Sequence, residues 1–146
     1  NLKDGLLSVR WPARFELLSR DPLFIADGGH NPQGITAVVE SLIQHFPNRS
    51  ITFLIGIMAD KDIPHMIDQL KPIAQEFVTV TPDNPRALPA EELAKMLITS
   101  GLTATACDSV ADGVALAIRR AGKDGIVCAL GSLYMLGEVR ASLGVE

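Results

Sequence analysis

Residues 23–46 read LFIADGGHNPQGITAVVESLIQHF, and the change of period inside this stretch decides the fold. Leu23–Ala26 is a short apolar run that stops at Asp27. From Ile35 on, apolar residues recur as Ile35, Val38, Val39, Leu42, Ile43 and Phe46, the spacing of one helix face. Asn31 can accept hydrogen bonds from the first free amides of that helix, and Pro32 suits its first turn. The stretch therefore predicts a strand, a polar turn containing Asp27-Gly28-Gly29-His30, and a helix over 32–46.

The same unit repeats toward the C-terminus. Ile51–Gly56 is a β-rich run, and Ile63, Met66, Ile67 and Leu70 mark a second helix with Asp62 as its cap. Phe77–Thr81 predicts a strand, and Pro89–Ser100 a helix closed by Gly101. Thr103–Cys107 predicts the next strand, followed by a helix capped by Asp108 or Ser109 and ending near Gly122. Ile126–Leu130 and Ser132–Leu143 complete the series. Upstream, Arg14–Leu18 can pair with Leu23–Ala26 across the turn Ser19–Pro22. Five βα repeats plus one hairpin predict a Rossmann-like α/β fold: a mostly parallel sheet with helices on both faces and an antiparallel edge strand. The whole of 1–146 is expected to form a single domain.

Composition bounds the function. Hydrophobic residues make up 47% and charged residues 21% of 146, the balance of a globular protein with a core. No apolar run reaches the length needed to span a bilayer, and nothing suggests a signal peptide. The net charge of −4 argues against a nucleic-acid footprint, and Arg119–Arg120 reads as a solvated helix end. Cys107 and Cys128 form no CxxC and read as core thiols, which fits a reducing cytoplasm. The chain starts at Asn1 and enters structured patterns at once, as a piece of a longer chain would.

In such sheets ligands sit at the carboxyl ends of the strands, and the polar residues of this sequence gather there. Asp27-Gly28-Gly29-His30-Asn31-Pro32 offers a carboxylate for ribose hydroxyls, close backbone approach, a His donor and a helix N-terminus for an anion. The same residues also make an ordinary capped turn. In Trp11-Pro12-Ala13-Arg14-Phe15-Glu16, Arg14 can clamp a phosphate or carboxylate, or simply pair with Glu16 or Asp27. In Gly56–Asp62, Lys61 can face a phosphate and Asp60 a sugar or a metal-bound water, although a solvated turn explains both. Asp83-Asn84-Pro85-Arg86 lies on a loop stiffened by Pro82 and Pro85 and suits amino-acid recognition, with Arg86 for a carboxylate and Asp83 for an ammonium. Ser132 can hold an anion with the amides of the last helix, or act as a plain cap. There is no GxxxxGK[ST] loop, no GxGxxG, no GxSxG, and His30, His45 and His65 form no zinc pattern.

Taken in order, WPARFE (11–16), DGGHNP (27–32), IGIMADKD (55–62), TPDNPRA (81–87) and GSLY (131–134) resemble the C-terminal domain of folylpolyglutamate/dihydrofolate synthases, in the Mur ligase superfamily. Ala13 and Gly29 stand where that family often has Gly and Ala. The resemblance implies an ATP-dependent amide ligase in which ATP phosphorylates a carboxylate and the amine of L-glutamate attacks the acyl phosphate. It implies partners for this chain: its own N-terminal domain carrying the phosphate loop and the Mg2+ ligands, ATP, L-glutamate and a folate or pteroate acceptor. It further implies that Arg14 and Asp27 contact the nucleotide, that His30 acts catalytically near the phosphate and the incoming glutamate, and that His30 and Ser132 bind the amino acid; Arg86, on its proline-stiffened loop, is the candidate for glutamate's other carboxylate. No metal ligand and no nucleic-acid or membrane contact are expected on this chain, which should be inactive alone. A diaminopimelate-adding muramyl-peptide ligase, whose motif DNPR resembles, and a stand-alone nucleotide- or amino-acid-binding module are the alternatives.

Overall fold

The computed structural model describes residues 16–145. Its strands are β1 (Glu16–Ser19), β2 (Leu23–Ala26), β3 (Ile51–Ile55), β4 (Ala74–Thr79), β5 (Ala104–Ala106) and β6 (Ile126–Leu130). Its helices are α1 (Pro32–His45), α2 (Ile63–Leu70), α3 (Ala90–Thr99), α4 (Val110–Ala121) and α5 (Leu133–Ser142), with a 3-10 turn at Lys71–Ile73. The strands form one sheet in the order β1-β2-β6-β3-β4-β5. All neighbours are parallel except β1 and β2, which pair antiparallel with Glu16 opposite Ala26.

Chain direction explains the two layers. From β2 to β5 the chain moves steadily across the sheet, leaving one gap, and right-handed crossovers keep α1, α2 and α3 on one face. It then turns back to fill the gap with β6, which sends α4 and α5 to the other face. Strand parity follows: Phe53 and Ile55 pack under the first three helices, and Leu54 faces the other two. Phe53 and Phe77 stack across β3 and β4 with ring centroids 5.4 Å apart. Every residue of β3 and β6 is buried, as expected for central parallel strands.

The predicted caps are present. Asn31, Asp62, Ser109 and Ser132 each accept a hydrogen bond from a backbone N–H in the first turn of the following helix. Two strand boundaries differ from expectation. β4 begins at Ala74 and ends at Thr79, and β5 is limited to 104–106. The entry to β4 is only partly buried, so Ala74-Gln75-Glu76 carry little apolar signal, while Val80 and Thr81 lie past the strand's end, Val80 N–H still donating to Ile55 O of β3 at 3.0 Å. Among the described residues, no helix is long and apolar enough to cross a membrane.

Candidate functional site

The turn after β2 is built by its own side chains. Gly29 N–H donates to Asp27 Oδ1 at 2.6 Å, and Gly34 N–H donates to Asn31 Oδ1 at 2.8 Å. Asp27 is buried, at 6% exposure, and its N–H donates to Ala129 O of β6 at 2.9 Å. His30 Nδ1 lies 2.9 Å from Gly28 O. A carbonyl only accepts, so Nδ1 carries the hydrogen, and whenever the ring is neutral the lone pair is on Nε2.

The turns after β6 and β3 close against this one. Gly131 N–H donates to Gly29 O at 2.9 Å, and Gly56 N–H donates to Leu130 O at 3.4 Å. Gly131 has φ +107°, and a Cβ there would stand 2.5 Å from Gly56 O. Only glycine lets these three turns meet. Ser132, 2% exposed, accepts from Tyr134 N–H at 3.1 Å and so keeps its own hydroxyl hydrogen to donate.

The loop after β4 joins the same edge. Ala59 N–H donates to Arg86 O at 2.8 Å, Leu88 N–H to Ile57 O at 2.9 Å, and Arg86 N–H to Asn84 Oδ1 at 2.9 Å. Met58 and Ala87 form an antiparallel bridge. Arg86 and Lys61 are thereby carried on one platform, with Arg86 Nη1 3.5 Å from Asp60 Oδ2.

These elements enclose a cleft of about 240 Å3 lined by His30, Met58, Lys61, Arg86, Gly131, Ser132, Leu133 and Tyr134. It lies where the strand order reverses around β6, the place at which such sheets bind ligands. Three of the expected residues, His30, Arg86 and Ser132, meet there. Asp27 is not part of the lining and its carboxylate accepts from Gly29 N–H, and Asp83 is exposed and outside the lining. Arg14 lies outside the described residues; Glu16, two positions later, is paired with Arg140. Lys61, for which the sequence allows either a phosphate contact or a solvated turn, lines the cleft, and so does Tyr134, which the sequence marks only as part of GSLY. Their position directly after strand ends was the available signal.

The lining is basic in an acidic protein: it holds Lys61 and Arg86, against a net charge of −4. Among the described residues no three or more of His, Cys, Asp and Glu cluster to hold a metal ion. Burial pushes the Cys128 thiol well up, helped by the nearby Asp27 carboxylate. Partial burial, with Asp112 and Asp108 adding to it, raises Cys107 as well.

A family model described as Mur ligase, glutamate ligase domain matches residues 13–133. The chain belongs to this family. This Mur ligase domain is 36% identical over 144 residues to a folylpolyglutamate synthase of Lacticaseibacillus casei, covering 98% of the chain and 32% of that relative. A bifunctional folylpolyglutamate synthase/dihydrofolate synthase of Yersinia pestis, complexed with AMPPNP and Mn ion, is similar in structure, with a TM-score of 0.82 at 27% identity. That match covers 99% of the chain and 34% of the other. A bifunctional synthase of the same name with Mn, AMPPNP and L-glutamate bound gives a TM-score of 0.81 at 27% identity, over 99% of the chain and 34% of the other. The Mur ligase domain described here thus spans about a third of the length of these relatives.

Proposed function

We propose that this chain is the amino-acid- and nucleotide-positioning domain of an ATP-dependent ligase that adds L-glutamate to a pteroate or folate acceptor through an acyl phosphate. The observation that carries the reading is the cleft that gathers His30, Lys61, Arg86 and Ser132. Glutamate brings two carboxylates and one ammonium. Arg86 and Lys61 supply cations for the carboxylates, and Ser132 supplies a hydroxyl donor beside the first amides of α5. The ammonium must lose a proton before its nitrogen can attack. His30, with Nδ1–H held by Gly28 O, presents Nε2 to take that proton.

Among the described residues the lining includes no carboxylate, so a second ammonium, as in diaminopimelate, finds no partner among them. This favours glutamate over the muramyl-peptide branch. In the same reading Asp27 and Arg14 serve the nucleotide, and the Gly29 N–H bond sets the orientation of the Asp27 carboxylate. The phosphate loop and metal ligands belong to a separate N-terminal domain of the same enzyme. Two free thiols, one fully buried, suit a reducing cytoplasm. The chemistry asked of this chain is positioning and charge placement, with no nucleophile of its own.

The test is phosphate release by the full-length enzyme with ATP, comparing glutamate plus dihydropteroate or tetrahydrofolate with diaminopimelate plus a muramyl dipeptide. Glutamate- and folate-dependent release is expected, and the chain of residues 1–146 alone should give none. Release that requires diaminopimelate, or turnover by the chain alone, would overturn the reading.

A further inference from the structure

Arg86 lines the cleft, yet its guanidinium is already engaged. Its Nη1 lies 3.5 Å from Asp60 Oδ2, and Asp60 is not itself part of the lining. The pair is not a chance meeting of two mobile surface side chains. Ala59, next to Asp60, donates its N–H to the carbonyl of Arg86 at 2.8 Å, and Arg86 N–H is held by Asn84 Oδ1 at 2.9 Å. Both backbones are therefore fixed with the carboxylate beside the guanidinium, while the side chains, 54% and 66% exposed, keep room to turn. A carboxylate of Asp60 offers Arg86 the same two oxygens that a substrate carboxylate would offer.

We propose that Asp60 is an internal competitor for the amino-acid site: it holds Arg86 when the cleft is empty and must release it when a substrate carboxylate binds, so that Asp60 sets the KM for the amino acid. This rests on the proposed role of Arg86 as a carboxylate clamp. An incoming dicarboxylate displaces one carboxylate by another, and the intrinsic attraction is discounted by the cost of breaking the existing pair. The device weakens binding without touching the ATP site or the acceptor site. An ammonium ligand or a metal-water ligand at Asp60 would do the opposite, because removing either weakens substrate or nucleotide binding.

Steady-state kinetics of the full-length enzyme separate these cases. Asp60→Asn keeps the shape and removes the charge. It is expected to lower the KM for L-glutamate by about two- to five-fold, the range an exposed ion pair commands, with kcat and the KM for ATP unchanged. Arg86→Met should raise the glutamate KM, and in that background Asp60→Asn should change it by less than about two-fold, because its effect runs through Arg86. A glutamate KM that rises in Asp60→Asn, a shift in the KM for ATP, or an equal gain without Arg86 would each overturn the proposal. If Arg86→Met leaves the glutamate KM unchanged, the clamp assignment itself fails, and this inference with it.

Discussion

At the scale of single residues, the turn after β2 separates groups that build the site from groups that use it. Asn31 is a builder, since its side chain holds Gly34 N–H at the start of α1. His30 donates one hydrogen bond, from Nδ1 to Gly28 O of its own turn, and lines the cleft. In the full-length enzyme His30→Ala is expected to lower kcat/KM by tenfold or more, about 1.4 kcal/mol of transition-state stabilisation. Its melting temperature should stay near the parent's. Asn31→Ala should instead lose about 1 kcal/mol of stability, read by urea unfolding. Equal stability losses in the two variants, with His30→Ala fully active, would make His30 a turn residue and nothing more. Much of this was legible: DGGHNP at a strand end names a carboxylate, a close-packed turn, an imidazole and a cap in order. What stayed hidden was direction. No spacing rule tells that Asp27 spends Oδ1 on Gly29, or that Lys61 faces the cleft, because both depend on how three separate turns close together.

At the scale of elements, the helices were the readable part and the strand ends were not. The apolar stripe and the capping residue mark α1, α2 and α4 independently of the rest of the chain, so their bounds hold to within a residue or two. β4 was placed three residues late because its first half lies near the surface and lacks an apolar run. One contact between elements could not be read from local sequence. α4 passes so close to the sheet that a Cβ on Gly113 would stand 2.4 Å from Val80 Cγ1 and 2.9 Å from Leu54 Cδ1. Helix propensity alone favours alanine there by about 1 kcal/mol. Overpacking a full core costs about 1–3 kcal/mol, and Val80 and Leu54 are both 0% exposed and have nowhere to move. Gly113→Ala is therefore expected to lower stability in chemical denaturation, and Val80→Ala to recover part of the loss in the double variant. A stabilised Gly113→Ala would show that α4 sits farther from the sheet.

At the scale of the whole molecule, the two thiols report how firmly the sheet is closed. Cys128 lies at 0% exposure in the central strand, where burial opposes its ionisation and Asp27 adds repulsion. A raised thiol pKa in the folded state means that its contribution to stability is complete below the unfolded value, about 8.5, and is lost as pH rises above it. The urea midpoint should fall between pH 8 and pH 10, and fall less in Cys128→Ala. At pH 8 a thiol reagent should label Cys128 only on unfolding, while Cys107, half-buried beyond β5, reacts slowly in the native protein. Native labelling of both at equal rates would contradict the packing described. The position of β6 has one more consequence, which concerns synthesis. β2 and β3 are made before β6 but never touch in the finished sheet; β6, which follows every other described strand in the chain, lies between them. Until then each presents an apolar edge with unpaired backbone groups, ready for a wrong neighbour. The cleft, whose turns are fastened through Leu130 and Gly131, comes into being only once β6 and the turn after it are made, so a nascent chain that stalls before Ile126 has four of the five described helices and no binding site.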